Sequence, residues 1–350
     1  MSAQNISTNN TVNFQSFLKN LLKNAQYYFK NFKWNEHSTG LGFILLFVLG
    51  VFVSWWAQGF LGVPIFIKPS NLLMILRQVS YTGIIALGMT FIIISGGIDL
   101  SIGSMMAFVG GIAVFLLKRF PSDSLLGVFI ALIFALMFGT FCGFINGFMV
   151  TKGRIAPFIA TLGTMAIFRS LILYFSKAAN IESANKEFIK FGPAHILGVS
   201  LPVWVFIILA VVMHLLLNNT RFGRYVCAVG ANEQVARYSA INVQLIKLIP
   251  YAITGCTVAV SSMLWASRIN GIQPSQVGQG YELEAIAAVV IGGTSMNGGK
   301  GTIIGTVLGA IMLGMINNML VLGGVSSFLQ QAARGLVIIV AVLLQYNRNK

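Results

Sequence analysis

Acidic residues, histidine and cysteine are scarce in this chain. Of 350 residues, eight are Asp or Glu, three are His and three are Cys, and only 9% are charged. Soluble globular domains carry about 25% charged residues, so the composition excludes an ordinary soluble fold. The three histidines lie far apart and have no Cys or Glu at zinc-ligand spacing, so no metal site is expected. Such an inventory supplies no catalytic residues, and we do not expect an enzyme.

Apolar residues and glycine are abundant instead. Apolar residues make up 56% of the chain, the mean hydropathy is +0.82, and the 37 glycines lie inside apolar stretches. Glycine in this context is typical of close packing between membrane helices. The net charge of +15 would suggest nucleic acid in a soluble protein, but here the basic residues separate apolar segments. We therefore predict an all-α integral membrane protein with a Gly-rich helical bundle and no nucleic-acid partner.

The lengths of the apolar stretches predict about ten transmembrane helices, because one span needs about 20 mostly apolar residues. The candidates lie at 41–63, 72–95, 100–117, 124–150, 155–175, 201–218, 248–267, 283–293, 302–322 and 327–345. The eighth is too short by itself, so we expect it to borrow neighbouring Gly and Ser residues or to be a broken helix. Residues 41–350 thus form one transmembrane domain.

Residues 1–40 are polar and basic, and they lack an apolar core followed by a cleavage site, so no signal peptide is expected. Within 13–34, Phe, Leu and Tyr recur at helical spacing while lysines occupy the other faces. This pattern predicts a cytoplasmic amphipathic helix that binds membrane lipid, with an unstructured tail as the alternative.

The distribution of Lys and Arg predicts the orientation. With a cytoplasmic amino terminus and ten spans, thirteen basic residues lie inside and seven outside. This bias follows the positive-inside rule. Both termini are then cytoplasmic, and residues 176–200 lie outside.

Small residues four apart form three stripes, which favour close helix packing. The stripes are Gly139, Gly143 and Gly147; Gly301, Gly305 and Gly309; and Gly103, Ala107 and Gly111. Two stretches also share the order apolar run, Gly-Gly, six residues, Gly, beginning at Gly96 and at Gly292. The match is too short to establish an internal repeat.

The glycine-rich string at 292–302 is not a phosphate-binding loop. That motif requires Gly where Thr294 stands and Ser or Thr where Gly301 stands. If the protein pumps, a partner must therefore bind and hydrolyse ATP.

Four polar residues in apolar surroundings are candidates for the transport pathway or a gate: Asp99, Ser101, Asn317 and Asn318. A carboxylate at membrane depth is usually paired or functional. Asp99 also stands where a helix cap would, and capping is the favoured interpretation. The Asn317–Asn318 amides could bind sugar hydroxyls, although hydrogen bonds between helices are favoured for them.

The polar segment at 220–247 is the most informative cytoplasmic loop. Asn232 is placed to cap a short helix, and Arg237 follows Glu233 at i+4. A short, capped, charged helix between two spans suits docking onto another protein, with an ordinary solvated connector as the alternative.

This loop resembles the coupling region of ribose- and galactose-type permeases of bacterial ATP-binding cassette (ABC) importers. The residues that carry the resemblance are 221–225, Gly230, Asn232, Glu233, Ala236, Ser239 and 241–243. Three further segments agree, at 95–104, 157–165 and 280–306. The likeness extends from about residue 70 to the end, and departs from the family at Ala231 and Ala240, where a Gly is usual.

The resemblance implies a permease homodimer in the bacterial inner membrane, a cytoplasmic ATPase that holds ATP and Mg²⁺, and a periplasmic sugar-binding protein. It places five residues in or beside the helix that receives the ATPase stroke: Gly223, Arg224, Asn232, Glu233 and Arg237. Ribose is the favoured cargo. Another pentose or hexose, a nucleoside or a furanose signal is the alternative within the class, and an ion-coupled secondary transporter is the alternative outside it.

Overall fold

The computed structural model describes residues 34–326, 329–330, 332–333, 335–336 and 339. The amphipathic helix predicted near the amino terminus lies outside this part, apart from its last position. The last predicted span, 327–345, also lies outside it, apart from isolated positions.

The described part consists mainly of helices. They are α1 (Trp34–Ala57), α2 (Pro69–Ile94), α3 (Ile102–Leu117), α4 (Leu125–Thr151), α5 (Pro157–Ser176), α6 (Lys186–Phe191), α7 (Leu201–Asn219), α8 (Arg221–Ala231), α9 (Glu233–Tyr238), α10 (Val243–Ile269), α11 (Tyr281–Ile291) and α12 (Ile303–Leu322). A single 3-10 turn at Ile65–Ile67 precedes α2.

Seven of the described helices are long and apolar enough to cross a membrane: α1, α2, α4, α5, α7, α10 and α12. The shorter apolar helix α3 and the 11-residue helix α11 occupy the third and eighth predicted spans. A multi-pass helical membrane fold is therefore confirmed, and α11 is short, as its sequence predicts. The total of ten spans and the positions of the termini stay predictions.

Short strands complete the fold between α5 and α11, an addition to the predicted all-α architecture. They are β1 (Ile181–Glu182), β2 (His195–Ile196), β3 (Val199–Ser200) and β4 (Gly271–Ile272). β1 pairs antiparallel with β4, and β2 with β3. The first pair joins the segment after α5 to the end of α10, so the predicted external segment is held against the bundle.

Glycine brings the central helices into backbone contact. A Cβ on Gly139 or Gly143 would overlap the α10 backbone at Gly255 or Tyr251, and one on Gly305 would overlap the Gly292 carbonyl. The predicted packing role of these stripes is confirmed. The close approach holds α4 against α10 and α12 against the end of α11.

Candidate functional site

The loop between α7 and α10 folds into two short helices, α8 and α9. Thr220 caps α8 by accepting the Gly223 N–H at 3.2 Å, and Asn232 caps α9 by accepting the Val235 N–H at 3.0 Å. The predicted capping role of Asn232 is confirmed. Gly223 is buried, and a Cβ there would overlap the Leu217 carbonyl, so a side chain does not fit at this position. Arg224 is exposed.

Glu233 links α9 to a transmembrane helix. Arg237 Nη2 lies 3.1 Å from Glu233 Oε1, as the i+4 spacing predicts, and Lys247 Nζ of α10 contacts Glu233 Oε2. The hydrogen bond from Lys247, together with the charges of both cations, lowers the pKa of Glu233. The carboxylate stays charged at neutral pH, so the ion pairs are lost only as the pH falls through this lowered pKa. Sequence reasoning missed Lys247, because it follows Glu233 by 14 positions.

The outer surface of α9 combines apolar and basic side chains. Tyr238 is 89% exposed and Val235 is 57% exposed, and Arg237 lies between them in sequence. A groove of about 830 Å³ runs beside α9 and is lined by Arg154, Arg237 and Lys247 as well as Glu233. Exposed Tyr next to Arg is common at the centres of protein interfaces.

Ala240, where the family resemblance predicts Gly, has a positive φ of 59°. A non-glycine residue in this left-handed region costs about 1–2 kcal/mol. Ala240 therefore strains the turn between α9 and α10, while α9 itself forms as predicted.

Gly230, near the end of α8, lies where two glycine-rich loops meet. A Cβ on Gly230 would overlap the Ile94 carbonyl at the end of α2 and lie 2.6 Å from the Gly299 nitrogen. Gly299 N–H donates to the Ile94 carbonyl at 2.8 Å. The coupling segment thus contacts the end of α2 and the glycine-rich loop between α11 and α12.

Asp99 and Ser101 lie fully buried just before α3. Asp99 Oδ1 accepts the Ser101 N–H at 2.8 Å and the Ser101 hydroxyl at 2.7 Å. Asn146 of α4 donates from Nδ2 to Asp99 Oδ2 at 3.2 Å and to Ser101 Oγ at 2.7 Å. The N-cap of α3 is Ser101, and no side chain of the described residues caps this helix by a hydrogen bond, so the favoured capping interpretation of Asp99 is wrong. The carboxylate instead accepts from the N-cap residue itself and fastens this loop to α4. A part for either residue in the pathway stays a prediction.

Because these contacts are structural, we expect Asp99→Asn to lower stability by about 1–3 kcal/mol, since an amide cannot accept all of these donors. Uptake per folded molecule is expected to remain normal. Thermal unfolding in nanodiscs checks the first point, with Asp123→Asn in an exposed loop as the matched control. Lost uptake at wild-type stability would instead assign Asp99 to the pathway.

The two candidate asparagines of α12 differ in their surroundings. Asn318 forms a reciprocal amide pair with Asn71 of α2, at 2.9 and 3.0 Å, which is the favoured interhelical role. Asn317 instead lines a cavity of about 470 Å³ between α2, α10, α11 and α12. Other side chains of this cavity are Arg77, Trp265, Arg268, Tyr281 and Glu284. Sequence reasoning did not assign these five, because they are spread over three helices.

Arg169, a charge inside a predicted span, binds protein rather than the membrane surface. Its Nη1 donates to the carbonyls of Pro274 and Val277, at 2.5 and 3.0 Å. It thereby fastens α5 to the loop before α11.

Comparison with known proteins identifies the family of this chain. The family described as "branched-chain amino acid transport system / permease component" matches residues 71–342. The chain belongs to this permease family. It is 40% identical over 309 residues to a ribose import permease protein of Bacillus subtilis. The aligned residues make up 88% of this chain and 92% of the relative. No solved structure matches it.

Two other relatives match this permease over a similar length. A ribose import permease protein of Haemophilus influenzae is 41% identical over 285 residues, covering 80% of this chain and 86% of its own. A D-allose transport system permease protein of Escherichia coli is 34% identical over 311 residues, covering 89% and 91%. The protein is thus a permease rather than an enzyme, and it is a multi-pass protein of the bacterial inner membrane.

Proposed function

We propose that this permease is the membrane-spanning subunit of an ABC importer that carries a monosaccharide, with ribose favoured. The observation that carries the proposal is the similarity of about 40% to two proteins named as ribose import permeases, over at least 80% of this chain. The family description names branched-chain amino acids, whereas these relatives and the D-allose relative are named for sugars. Membership in the family therefore does not specify the cargo, and the relatives favour a sugar.

The importer would be assembled from several chains. Two permease copies, each with about ten helices and cytoplasmic termini, lie in membrane lipid. A cytoplasmic ATPase holds ATP and Mg²⁺, and a periplasmic binding protein delivers the sugar. The binding protein supplies affinity, so the membrane pathway needs only weak contacts, and weak contacts allow release to the cytoplasm.

Coupling would run through α8 and α9. The exposed apolar and basic surface of α9 and the neighbouring groove suit a docking ATPase with acidic side chains. Glu233 connects α9 to α10 through Lys247, and Gly230 places α8 against the end of α2 and the loop before α12. A movement of this unit when the ATPase closes would therefore reach α2, α10 and the loop before α12. Through that movement the transport pathway would open alternately to the two sides of the membrane.

Reconstituted transport tests the proposal. Proteoliposomes that contain the permease, its ATPase and its binding protein are expected to take up labelled ribose only when ATP and all three proteins are present. D-allose, galactose, xylose, a nucleoside and leucine serve as competing cargoes. Uptake by the permease alone, driven by an ion gradient, would identify a secondary transporter instead. Uptake of leucine but of no sugar would reject the proposed cargo.

A further inference from the structure

The cavity between α2, α10, α11 and α12 lies at the end of the bundle opposite the coupling helices. Along α10, Arg268 of the cavity is 25 residues from Val243, which adjoins the coupling loop. At 1.5 Å per residue the two positions are about 38 Å apart. On α2, Arg77 likewise precedes by several turns the Ile94 carbonyl that meets Gly230. If the coupling helices are cytoplasmic, as proposed, this cavity belongs to the outer half of the permease.

One wall of the cavity is aromatic and held in place by ring contacts. Trp265 packs edge-on against Tyr81, with centroids 5.1 Å apart, and against Tyr281 at 6.4 Å. The Arg268 guanidinium lies 5.9 Å from the centre of the Tyr81 ring. These contacts tie α2, α10 and the start of α11 together, so the wall is organised before a ligand enters. Aromatic walls pack against the C–H faces of a sugar ring.

The polar side chains of the cavity provide both kinds of hydrogen-bonding group. Arg77 and Arg268 are donors only, Glu284 is an acceptor, and the amide of Asn317 is both. Sugar hydroxyls also donate and accept, so the chemistry of a neutral monosaccharide matches that of these groups. The volume of about 470 Å³ lies within the range of about 300–1,000 Å³ that is usual for small-molecule sites.

We infer that this cavity is a monosaccharide site of low affinity, which the sugar occupies after it leaves the binding protein. The inference rests on the proposed function, and it assigns the cargo contact to Arg268, Glu284 and Asn317 within an aromatic cavity. Low affinity follows from the open cavity and from the need to release the sugar at every cycle.

Direct sugar binding tests the site independently of transport. The permease–ATPase complex in nanodiscs, without binding protein, is expected to give a saturation-transfer NMR signal with millimolar ribose. Arg268→Gln and Glu284→Gln are each expected to weaken binding about tenfold, because a hydrogen bond to a charged group is lost. Arg119→Gln, an exposed arginine in the loop after α3, is the matched control and is expected to leave binding unchanged.

Transport kinetics then separate this inference from the alternatives. In the complete importer the two variants are expected to lower maximal uptake, while the half-saturating concentration of loaded binding protein stays the same. A change in that concentration alone would make these residues docking contacts for the binding protein and would overturn the inference. Binding of leucine or inorganic phosphate in place of ribose would also overturn it. An importer that transports ribose while the complex gives no ribose signal would refute the site and leave the proposed function standing.

Discussion

Gly230→Val is expected to abolish ATP-driven uptake. A side chain at this position would overlap the Ile94 carbonyl and approach the Gly299 nitrogen, so it would separate α8 from the end of α2 and from the loop before α12. Both neighbours are backbone atoms, which cannot move aside as a flexible side chain can. The measurement is uptake into proteoliposomes, together with the ATPase activity that loaded binding protein stimulates.

Gly230→Ala separates this steric effect from helix formation. Alanine favours a helix over glycine by about 1 kcal/mol, so a loss of uptake in this variant comes from the contact and not from a weakened α8. Gly163→Val on α5 is the matched control, because no neighbouring segment of the described structure comes within 4 Å of a Cβ placed there. Normal uptake by Gly230→Val would show that this junction does not transmit the ATPase movement.

Reversing one charge on α9 is expected to have the second large effect. Glu233→Lys would place three cations together, since Arg237 and Lys247 both contact the native carboxylate. We expect the ATPase to be lost from the purified complex and uptake to fall at least tenfold, with insertion into the membrane unchanged. The measurement is the amount of ATPase that copurifies with the permease.

A graded series shows what the charges do. Glu233→Lys with Arg237→Glu restores one ion pair but leaves two lysines facing each other, so only partial recovery is expected. Adding Lys247→Glu restores both pairs with all signs reversed. If the ATPase recognises the charge of α9, this triple variant still fails to bind the ATPase. Full recovery of binding would mean that the three residues only hold α9 to α10, and it would contradict the docking role.

The ion pair between Glu187 and Lys190 of α6 provides the matched control for this series. Lys190 Nζ lies 2.5 Å from Glu187 Oε1, and the pair lies in the segment predicted to be external. Exchange of its two charges is expected to leave ATPase binding and uptake unchanged. Loss of uptake in this control would indicate a general effect of charge exchange.

Local sequence signals predicted helix α9 of the coupling loop, whereas α8 was not predicted. Asn232 caps α9 and Glu233 pairs with Arg237, because capping and i+4 pairing depend only on neighbours within one turn. The glycine stripes also predicted close packing correctly, since removal of the side chain is what permits backbone contact. The partner helix of each stripe could not be predicted, because one sequence does not specify which helices become neighbours.

Contacts between distant segments escaped the sequence for the same reason. Asn146, near the end of an apolar helix, carries no signal that it would bind Asp99, 47 positions earlier. Asn71 and Asn318 are 247 positions apart, and only folding makes them a pair. Among the four candidate pathway residues, folding places Asn317 at a cavity and buries Asp99, Ser101 and Asn318.

By itself, the sequence determined that this protein is a helical membrane protein with a capped, charged helix between two of its spans, and its motifs resemble those of sugar permeases. Hydropathy and turn chemistry act over one helix length, so they can be read along the chain. Only the tertiary structure decided that Lys247 contacts Glu233, that Gly230 lies against Ile94 and Gly299, and that an aromatic, polar cavity forms between four helices. These features depend on which surfaces meet, and packing alone settles that.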